Sequence, residues 1–198
     1  MGLKDYTVGG RQRHAIAVIG ARGVPANHGG FETFAENLAL HLQHRGWEVT
    51  VYCQLDGEGA ITEDEWRGVR RVNVPVRGGG PLATIIFDWK CIRHAAREQG
   101  LVLTLGYNTA IFCVWLRMKG VTNLINMDGI EWRRAKWPWL VRVWFWVNER
   151  LGCWLGNHLV ADNPGIEAHL ATRVSREKIT MIPYGAPRID GADAALLA

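Results

Sequence analysis

The sequence predicts an α/β fold with a single Rossmann-like, doubly wound and mostly parallel sheet of about seven strands. From His14 onward, short apolar runs alternate with longer stretches of helical periodicity, which is typical of βαβ units. A glycine-rich loop follows the first apolar run, at the place where such sheets seat their ligands. A chain of 198 residues that is 48% hydrophobic and 21% charged buries a core of its own, which excludes a disordered protein.

The predicted elements follow one another in βα steps. The first strand covers residues 14–20, and apolar side chains such as Phe34 and Leu38 indicate a helix at 31–45. The charged stretch 56–67 is predicted to be a surface loop. The remaining strands are predicted at 48–53, 69–76, 101–105, 122–127, 158–161 and 178–182. The remaining helices are predicted at 82–99, 109–119, 139–156 and 165–172.

Composition narrows the classes of function. Lysine and arginine number 23 against 19 acids, and this formal net charge of +4 favours an anionic partner without requiring nucleic acid, which we do not expect. His41 and His44 lack a third ligand, so no metal site is predicted. The four cysteines lie 38, 22 and 40 residues apart, without the close pairs of zinc or redox sites, so we expect reduced thiols in a cytoplasmic protein. These cysteines are Cys53, Cys91, Cys113 and Cys153.

One domain is predicted, at residues 14–187. Residues 1–13 mix charges with glycines, lack the apolar stretch of a signal peptide and are expected to be a flexible tail. The longest nearly apolar run, 137–147, is far shorter than the ~20 residues that cross a bilayer. We therefore expect no membrane-spanning helix.

The loop between the first strand and the first helix is the predicted phosphate seat. Gly23, Gly29 and Gly30 let the backbone approach an anion, and the following helix adds about half a positive charge at its N-terminus. Arg22 and His28 are expected to contact a diphosphate. Because Arg22 stands where the dinucleotide fingerprint needs glycine, an oxidoreductase with a nicotinamide cofactor is disfavoured, and no P-loop sequence occurs. Alternatively, the glycines only shape the connection, and the two basic residues are solvated.

Three segments carry a family resemblance. Residues 29–32, which open a helix, resemble the N-terminal domain of glycosyltransferase family 4, whose members have the two-domain GT-B fold. Residues 126–137 (NMDGIEWRRAKW) and 161–166, with 182–186 as the exit from the domain, resemble a bacterial subgroup often described as rhamnosyltransferases. The resemblance covers residues 15–186.

The resemblance implies a reaction, the transfer of a sugar from a nucleotide diphosphate sugar to an acceptor hydroxyl with retention and usually without an essential metal or other cofactor. In this family the N-terminal domain mainly holds the acceptor, and the C-terminal domain binds the donor through a Glu-x7-Glu motif. No two glutamates here are eight positions apart. We therefore expect one half of a GT-B fold without its donor domain, with residues 188–198 as the start of an interdomain linker or a tail.

Two carboxylates are the candidate catalytic residues. The resemblance places Asp128 at the edge of the cleft, where many family members carry a histidine near the reacting sugar. Glu131, three residues on, could form an acid–base pair with it, since neighbouring carboxylates titrate apart when they are desolvated together. Asp162, at the end of a later predicted strand, is a further candidate. Alternatively, Asp128 only forms a local turn before Gly129.

A basic and aromatic patch is predicted at Arg133, Arg134, Lys136 and Trp137. Tryptophan favours the membrane interface, and each lysine or arginine is attracted to anionic headgroups by about 1 kcal/mol. We expect the patch to contact the inner face of the plasma membrane and to present a lipid-linked acceptor. Alternatively, the helix that follows, which is apolar on most faces, packs inside the domain or against a partner domain.

The leading hypothesis from the sequence is the acceptor-side half of a glycosyltransferase of hexosyltransferase type. Its partners would be a nucleotide sugar, a polysaccharide or lipid-linked acceptor, and a donor-domain polypeptide without which the chain is inactive. Rhamnose is the sugar that the subgroup suggests. The alternative is a non-catalytic module that binds an acceptor or a partner and needs a separate donor-binding half.

Overall fold

The computed structural model describes residues 6–8, 11–27, 29–98 and 100–185, so the linker predicted at 188–198 lies outside the described residues. The segment predicted as a flexible tail contains a hairpin, in which β1 (Tyr6–Val8) and β2 (Arg11–Arg13) pair antiparallel. The strands that follow form one sheet. They are β3 (Ala15–Ile19), β4 (Glu48–Asp56), β5 (Thr62–Trp66), β6 (Val69–Val76), β7 (Leu101–Leu105), β8 (Thr122–Asn126), β9 (His158–Ala161) and β10 (Ile179–Met181).

The strand order is β10-β9-β8-β7-β3-β4-β6-β5, and every neighbouring pair is parallel except β5 and β6. The chain moves outward from β3 to one edge of the sheet, returns to β7 on the other side of β3, and then moves outward to the opposite edge. The prediction of one mostly parallel, Rossmann-like sheet is confirmed, with eight strands where about seven were expected. The reversal of direction between β3 and β7 opens a crevice at the carboxyl edge, where ligands bind in such sheets.

The helices cover the sheet and bury its strands. All five residues of β7 are buried, as expected for a parallel strand with helices on both faces. One buried cluster joins the first helix to β3 and β4, and a second cluster joins the other helices to the sheet. The helices are α1 (Gly30–His44), α2 (Gly80–Ala95), α3 (Cys113–Met118), α4 (Trp139–Leu155) and α5 (Pro164–Leu170).

The prediction of a surface loop over residues 56–67 is wrong at Thr62–Trp66, where β5 runs antiparallel along the edge of the sheet. Asp64 stands opposite Arg71 on β6, and its Oδ1 lies 2.6 Å from Nε of that arginine. The neighbouring Arg70 pairs with Glu63, Nη2 to Oε1, at 2.6 Å. Cross-strand ion pairs therefore accompany a strand that has no apolar alternation, and its charged side chains protect the edge from pairing with another chain.

Gly20 ends β3 at the crevice and fixes how closely the neighbouring strand approaches. Its φ is +89°, and a Cβ atom there would lie 2.3 Å from the carbonyl oxygen of Leu105 at the end of β7. Only glycine fits this contact. The chain therefore turns sharply at the carboxyl edge and enters the loop toward α1.

Candidate functional site

A cleft of about 830 Å³ opens at the carboxyl edge of the sheet. The start of α1 forms one side, and Asp128, which follows β8, forms the other together with the exit segment of the chain. The structure thus brings the double glycine and the candidate catalytic aspartate to one cleft. Its lining comprises Gly30, Phe31, Thr33, Phe34, Asn37, Asp128, Tyr184 and Gly185.

The N-terminus of α1 borders this cleft at Gly30, while a Cβ atom on Gly29 would lie 3.4 Å from Oε2 of Glu32. Gly29 caps the helix in extended conformation, and no side chain caps it within the described residues. Both glycines are exposed, and a Cβ atom on Gly30 would meet nothing within 4 Å. The first-turn amides of a 15-residue helix therefore border an open crevice, which is the geometry that favours an anion.

The loop before α1 is fixed by carboxylates of the helix itself. The buried Glu32 accepts a hydrogen bond from the backbone N–H of Arg22 through Oε1 at 3.0 Å. Glu36 Oε2 accepts one from the backbone N–H of Ala26 at 2.6 Å. The backbone N–H groups of Arg22 and Ala26 are consequently occupied by carboxylates of α1. Acidic residues are common near the start of a helix. The sequence alone does not reveal that these two bond to backbone groups ten residues earlier.

Arg22 and Gly23, two other predicted phosphate contacts, lie away from the cleft. The side chain of Arg22 is exposed and borders a separate cavity of about 410 Å³, which it shares with Asp56 and the glycines before α2. Gly23 is buried, and a Cβ atom on it would lie 2.8 Å from Cβ of Cys53, so close packing against β4 requires glycine there. His28 lies outside the described residues. Neither Arg22 nor Gly23 borders the cleft that contains Asp128.

Asp128 is half-buried, and Asp162 follows the neighbouring strand. Burial raises the pKa of Asp128, the neighbouring Asp162 carboxylate raises it further, and Arg134 opposes both effects. Asp162 follows β9, which lies beside β8, so parallel pairing brings the two strand ends together. Its Oδ1 accepts a hydrogen bond from Nδ2 of Asn163 at 2.9 Å. Glu131 also raises the pKa of Asp128, so a carboxylate on the next strand joins the neighbour that the sequence suggested.

Glu131 is engaged in the turn that follows Asp128. Its Oε1 lies 3.0 Å from Nε of Arg134, and its Oε2 accepts a hydrogen bond from the indole of Trp137 at 3.0 Å. Its backbone N–H donates to the hydroxyl of Tyr107 at 2.8 Å. Glu131 does not border the cleft, so it holds the segment behind the aspartate.

Tyr184 is a residue that the sequence analysis named only as part of the exit segment. Its hydroxyl accepts a hydrogen bond from Nδ2 of the buried Asn126 at 3.0 Å. Its ring packs edge-on against Phe34 of α1, with centroids 5.4 Å apart. Burial raises the pKa of Tyr184, so the neutral hydroxyl is kept as a hydrogen-bond donor. The tyrosine therefore connects β8 to α1 across the cleft.

The predicted basic patch is exposed beside α4. Arg133, Arg134 and Lys136 are exposed, and Trp137 is partly buried through its bond to Glu131. The apolar side chains on the outer side of α4 are exposed as well. No helix in the described part of the chain is long and apolar enough to cross a membrane. The exposed apolar residues of α4 are Trp139, Leu140, Val143, Trp144, Trp146, Val147 and Trp154.

One group of side chains in the described residues has ligand atoms spaced closely enough for a metal ion, namely Glu63, His94 and Glu98. Arg70 already bonds both carboxylates, with donor–acceptor distances between 2.6 and 2.9 Å. Nδ1 of His94 lies 2.9 Å from the hydroxyl of Tyr52. This group is therefore an ion-pair network, on a part of the sheet that does not border the cleft.

The family model that matches residues 13–187 is described as "Domain of unknown function (DUF1972)". No curated protein matches the sequence. Among solved structures, the chain is similar to Anabaena HepE in complex with UDP and glucose, with a TM-score of 0.55 and 12% identity over 88% of this chain and 45% of that one. It is also similar to "Trehalose-6-phosphate from E. coli bound with UDP-2-fluoro glucose", with a TM-score of 0.53 and 9% identity over 88% and 49%.

A third similar structure is Phytolacca americana UGT2 complexed with UDP-2fluoro-glucose and pterostilbene, with a TM-score of 0.53 and 9% identity over 92% of this chain and 56% of that one. At such identities the likeness shows the fold alone. The chain shares its Rossmann-like architecture with one half of these structures, and it spans about half of their length.

Proposed function

This chain belongs to the family described as Domain of unknown function (DUF1972), and we propose that it is the acceptor-side half of a glycosyltransferase. One observation supports the proposal: a single cleft is lined by Gly30 at the N-terminus of α1 and by Asp128 after β8. An anion and a hydroxyl thus find complementary groups on facing sides of one crevice. In a transfer from a nucleotide diphosphate sugar, the anion is the diphosphate of the donor and the hydroxyl belongs to the acceptor.

In this proposal each side of the cleft has its own task. The first-turn amides of α1 stabilise the negative charge of the diphosphate or of an anionic acceptor group. Asp128 accepts a hydrogen bond from the acceptor hydroxyl, and the Tyr184 hydroxyl donates one to a sugar oxygen. In a retaining transfer the leaving diphosphate takes up the proton of that hydroxyl, so Asp128 orients the nucleophile and no essential metal is needed.

The finer assignment rests on the sequence resemblance. It suggests the family 4 rhamnosyltransferase subgroup, rhamnose from a nucleotide diphosphate donor, and a polysaccharide or lipid-linked acceptor in the cytoplasm. A donor domain with a Glu-x7-Glu motif would complete the site. The alternative is a non-catalytic module that recruits an acceptor or partner and needs a separate donor-binding half.

Transfer of a radiolabelled sugar tests the two functions against each other. We expect no transfer by this chain alone, and transfer to a soluble saccharide or a lipid-linked acceptor once a donor-half polypeptide is added. Binding of UDP- or TDP-sugars, but not of NAD, should be measurable by calorimetry for the assembled halves. Tight acceptor binding without transfer by any assembly would contradict the enzyme and leave the binding module.

We expect the basic patch to bring the protein to anionic membranes. Neutralising Arg133, Arg134 and Lys136 to glutamine should lower the fraction that sediments with phosphatidylglycerol vesicles by about tenfold or more, since each charge contributes about 1 kcal/mol. The matched control removes three charges from a distant part of the surface, through glutamine at Arg67, Arg77 and Arg97. Equal sedimentation of the two triple variants would remove membrane contact from the proposal.

A further inference from the structure

We propose that the groove beside the first two turns of α4 binds the phosphate of a membrane lipid together with the first carbons of its chain, and that Arg142 holds the phosphate. The inference rests on the proposed function, because it assigns a ligand site within the membrane-facing surface. The groove has a volume of about 460 Å³. Its lining is Trp132, Trp139, Arg142, Val143 and Trp146.

Helical spacing produces the shape of the groove. Four of its lining residues lie three or four positions apart on α4 and therefore share one face. Trp139, Val143 and Trp146 are 69%, 50% and 42% exposed, so an apolar surface lines the groove in open solvent. Trp132, from the short turn before the helix, completes it. A hydrocarbon chain bound there would cover apolar area that the domain itself leaves uncovered.

Arg142 gives the groove an anion-binding end. Its Nε donates a hydrogen bond to the backbone carbonyl of Trp132 at 2.8 Å, which orients the guanidinium at the groove. Within the described residues no carboxylate pairs with Arg142. The two acids of this region, Glu131 and Glu149, are occupied by other partners. The two remaining nitrogens of the planar guanidinium are therefore free to donate paired hydrogen bonds to two oxygens of a phosphate.

The charge pattern selects a membrane lipid over other occupants. The exposed charged residues of the segment between Trp132 and α4, namely Arg133, Arg134 and Lys136, are all basic, which complements anionic headgroups. Exposed tryptophans with apolar neighbours are the composition of a helix that lies in the membrane interface. Trp132 also stands four residues after Asp128, so a lipid phosphate in the groove lies next to the segment that forms the cleft.

The test uses dihexanoyl phosphatidic acid below its critical micelle concentration, followed by tryptophan fluorescence. We expect saturable binding of this probe, at least tenfold weaker binding of inorganic phosphate, and at least tenfold weaker binding of dihexanoylglycerol. Arg142→Gln should weaken binding of the lipid phosphate by about tenfold or more, which corresponds to one charge-assisted hydrogen bond. Arg133→Gln is the matched control, because Arg133 stacks on Trp132 from outside the groove and should change affinity less than threefold.

A second variant tests the apolar side of the groove. Val143→Asn adds no charge, leaves the basic groups in place and should weaken binding of the lipid phosphate as strongly as Arg142→Gln. Equal effects of Arg142→Gln and Arg133→Gln, or equal affinity for inorganic phosphate, would overturn the groove as a lipid site. Loss of lipid binding when a donor-half polypeptide is added would also overturn it, because α4 would then be a domain interface.

Sugar transfer to a soluble saccharide acceptor distinguishes this inference from the proposed function. Arg142→Gln should leave that transfer unchanged, since the variant lies outside the cleft. Transfer that proceeds while lipid binding ignores Arg142 would overturn the groove alone. Lipid binding that depends on Arg142 without any sugar transfer would overturn the proposed function alone.

Discussion

Replacing Asp128 with asparagine in an assembled transferase should lower kcat by about a hundredfold, the size of the loss that a misplaced reactant causes. Asparagine keeps the size of the side chain but loses the charge that orients the acceptor hydroxyl. Because the acceptor still fits the cleft, its KM should change by less than about threefold. Steady-state transfer of a labelled sugar to a soluble acceptor measures both constants.

Asp56→Asn is the matched control for this change. Asp56 is an exposed aspartate that borders the cavity of Arg22 and the glycines before α2, so it reports on the competing crevice. We expect wild-type kcat from Asp56→Asn. Full activity of Asp128→Asn, or a large loss in Asp56→Asn, would move the site away from the α1 cleft.

The same substitution should affect stability in the opposite direction from activity. The pKa of Asp128 is raised by burial and by Asp162, so the folded protein binds a proton there more tightly than the unfolded chain does. The free energy of unfolding therefore falls as pH rises from the ordinary aspartate pKa through the raised one. Asp128→Asn removes this loss, so the variant should be more stable than wild type at neutral pH and no more stable at pH 3. Urea unfolding at several pH values measures the difference. A variant that is less stable than wild type at neutral pH would contradict a raised pKa of Asp128 in the folded protein.

The sheet was largely predictable because most of its strands contain short apolar runs between helical stretches. Leu101–Leu105 and His158–Ala161 were predicted with their observed bounds, since apolar residues dominate both runs. The strand at 62–66 was not predictable in this way. It contains Asp and Glu in succession, and its pairing depends on Arg70 and Arg71 of the next strand.

The candidate site was only partly predictable, because residues that are far apart in the sequence meet at it. The position of Asp128 follows from a strand end, which a local pattern reveals. Its partner, Asp162, is brought there only because β8 and β9 are neighbours. Glu131, which is close in sequence, turns away to Trp137. Closeness along the chain suggested Glu131 as the partner of Asp128, and only the strand order shows that Asp162 is a neighbour as well.

Glu149→Ala should lower the free energy of unfolding by roughly 3–5 kcal/mol, the effect of removing one partner of a buried charge network. Glu149 is 1% exposed on α4. Its Oε2 accepts a hydrogen bond from the indole of Trp132 and lies 3.1 Å from Nε2 of His169. Its Oε1 accepts one from Nε of Arg173 at 3.3 Å. Alanine would leave these donors without an acceptor and an arginine charge without its partner.

Urea unfolding followed by circular dichroism measures this change, with an unchanged slope as evidence that the two states are the same. Because domains of this size are stable by only about 5–15 kcal/mol, Glu149→Gln serves as a variant that still folds. It keeps the volume and one acceptor oxygen, so it should cost roughly 1–3 kcal/mol. The control is Glu177→Ala, an exposed glutamate near α5, which should change stability by less than about 0.5 kcal/mol.

The position of Trp132 gives the Glu149 network a second consequence. Trp132 stands between the cleft residue Asp128 and α4, and its indole is held by Glu149. Glu149→Gln should therefore weaken binding of the lipid phosphate in the α4 groove, although it touches no groove surface itself. A Glu149→Ala protein that unfolds within about 1 kcal/mol of wild type would show that the carboxylate is dispensable. In that case the hydrogen bond from the Trp132 indole to Glu149 would be too weak to fix the ring. Another contact of Trp132 would then have to hold it at the groove.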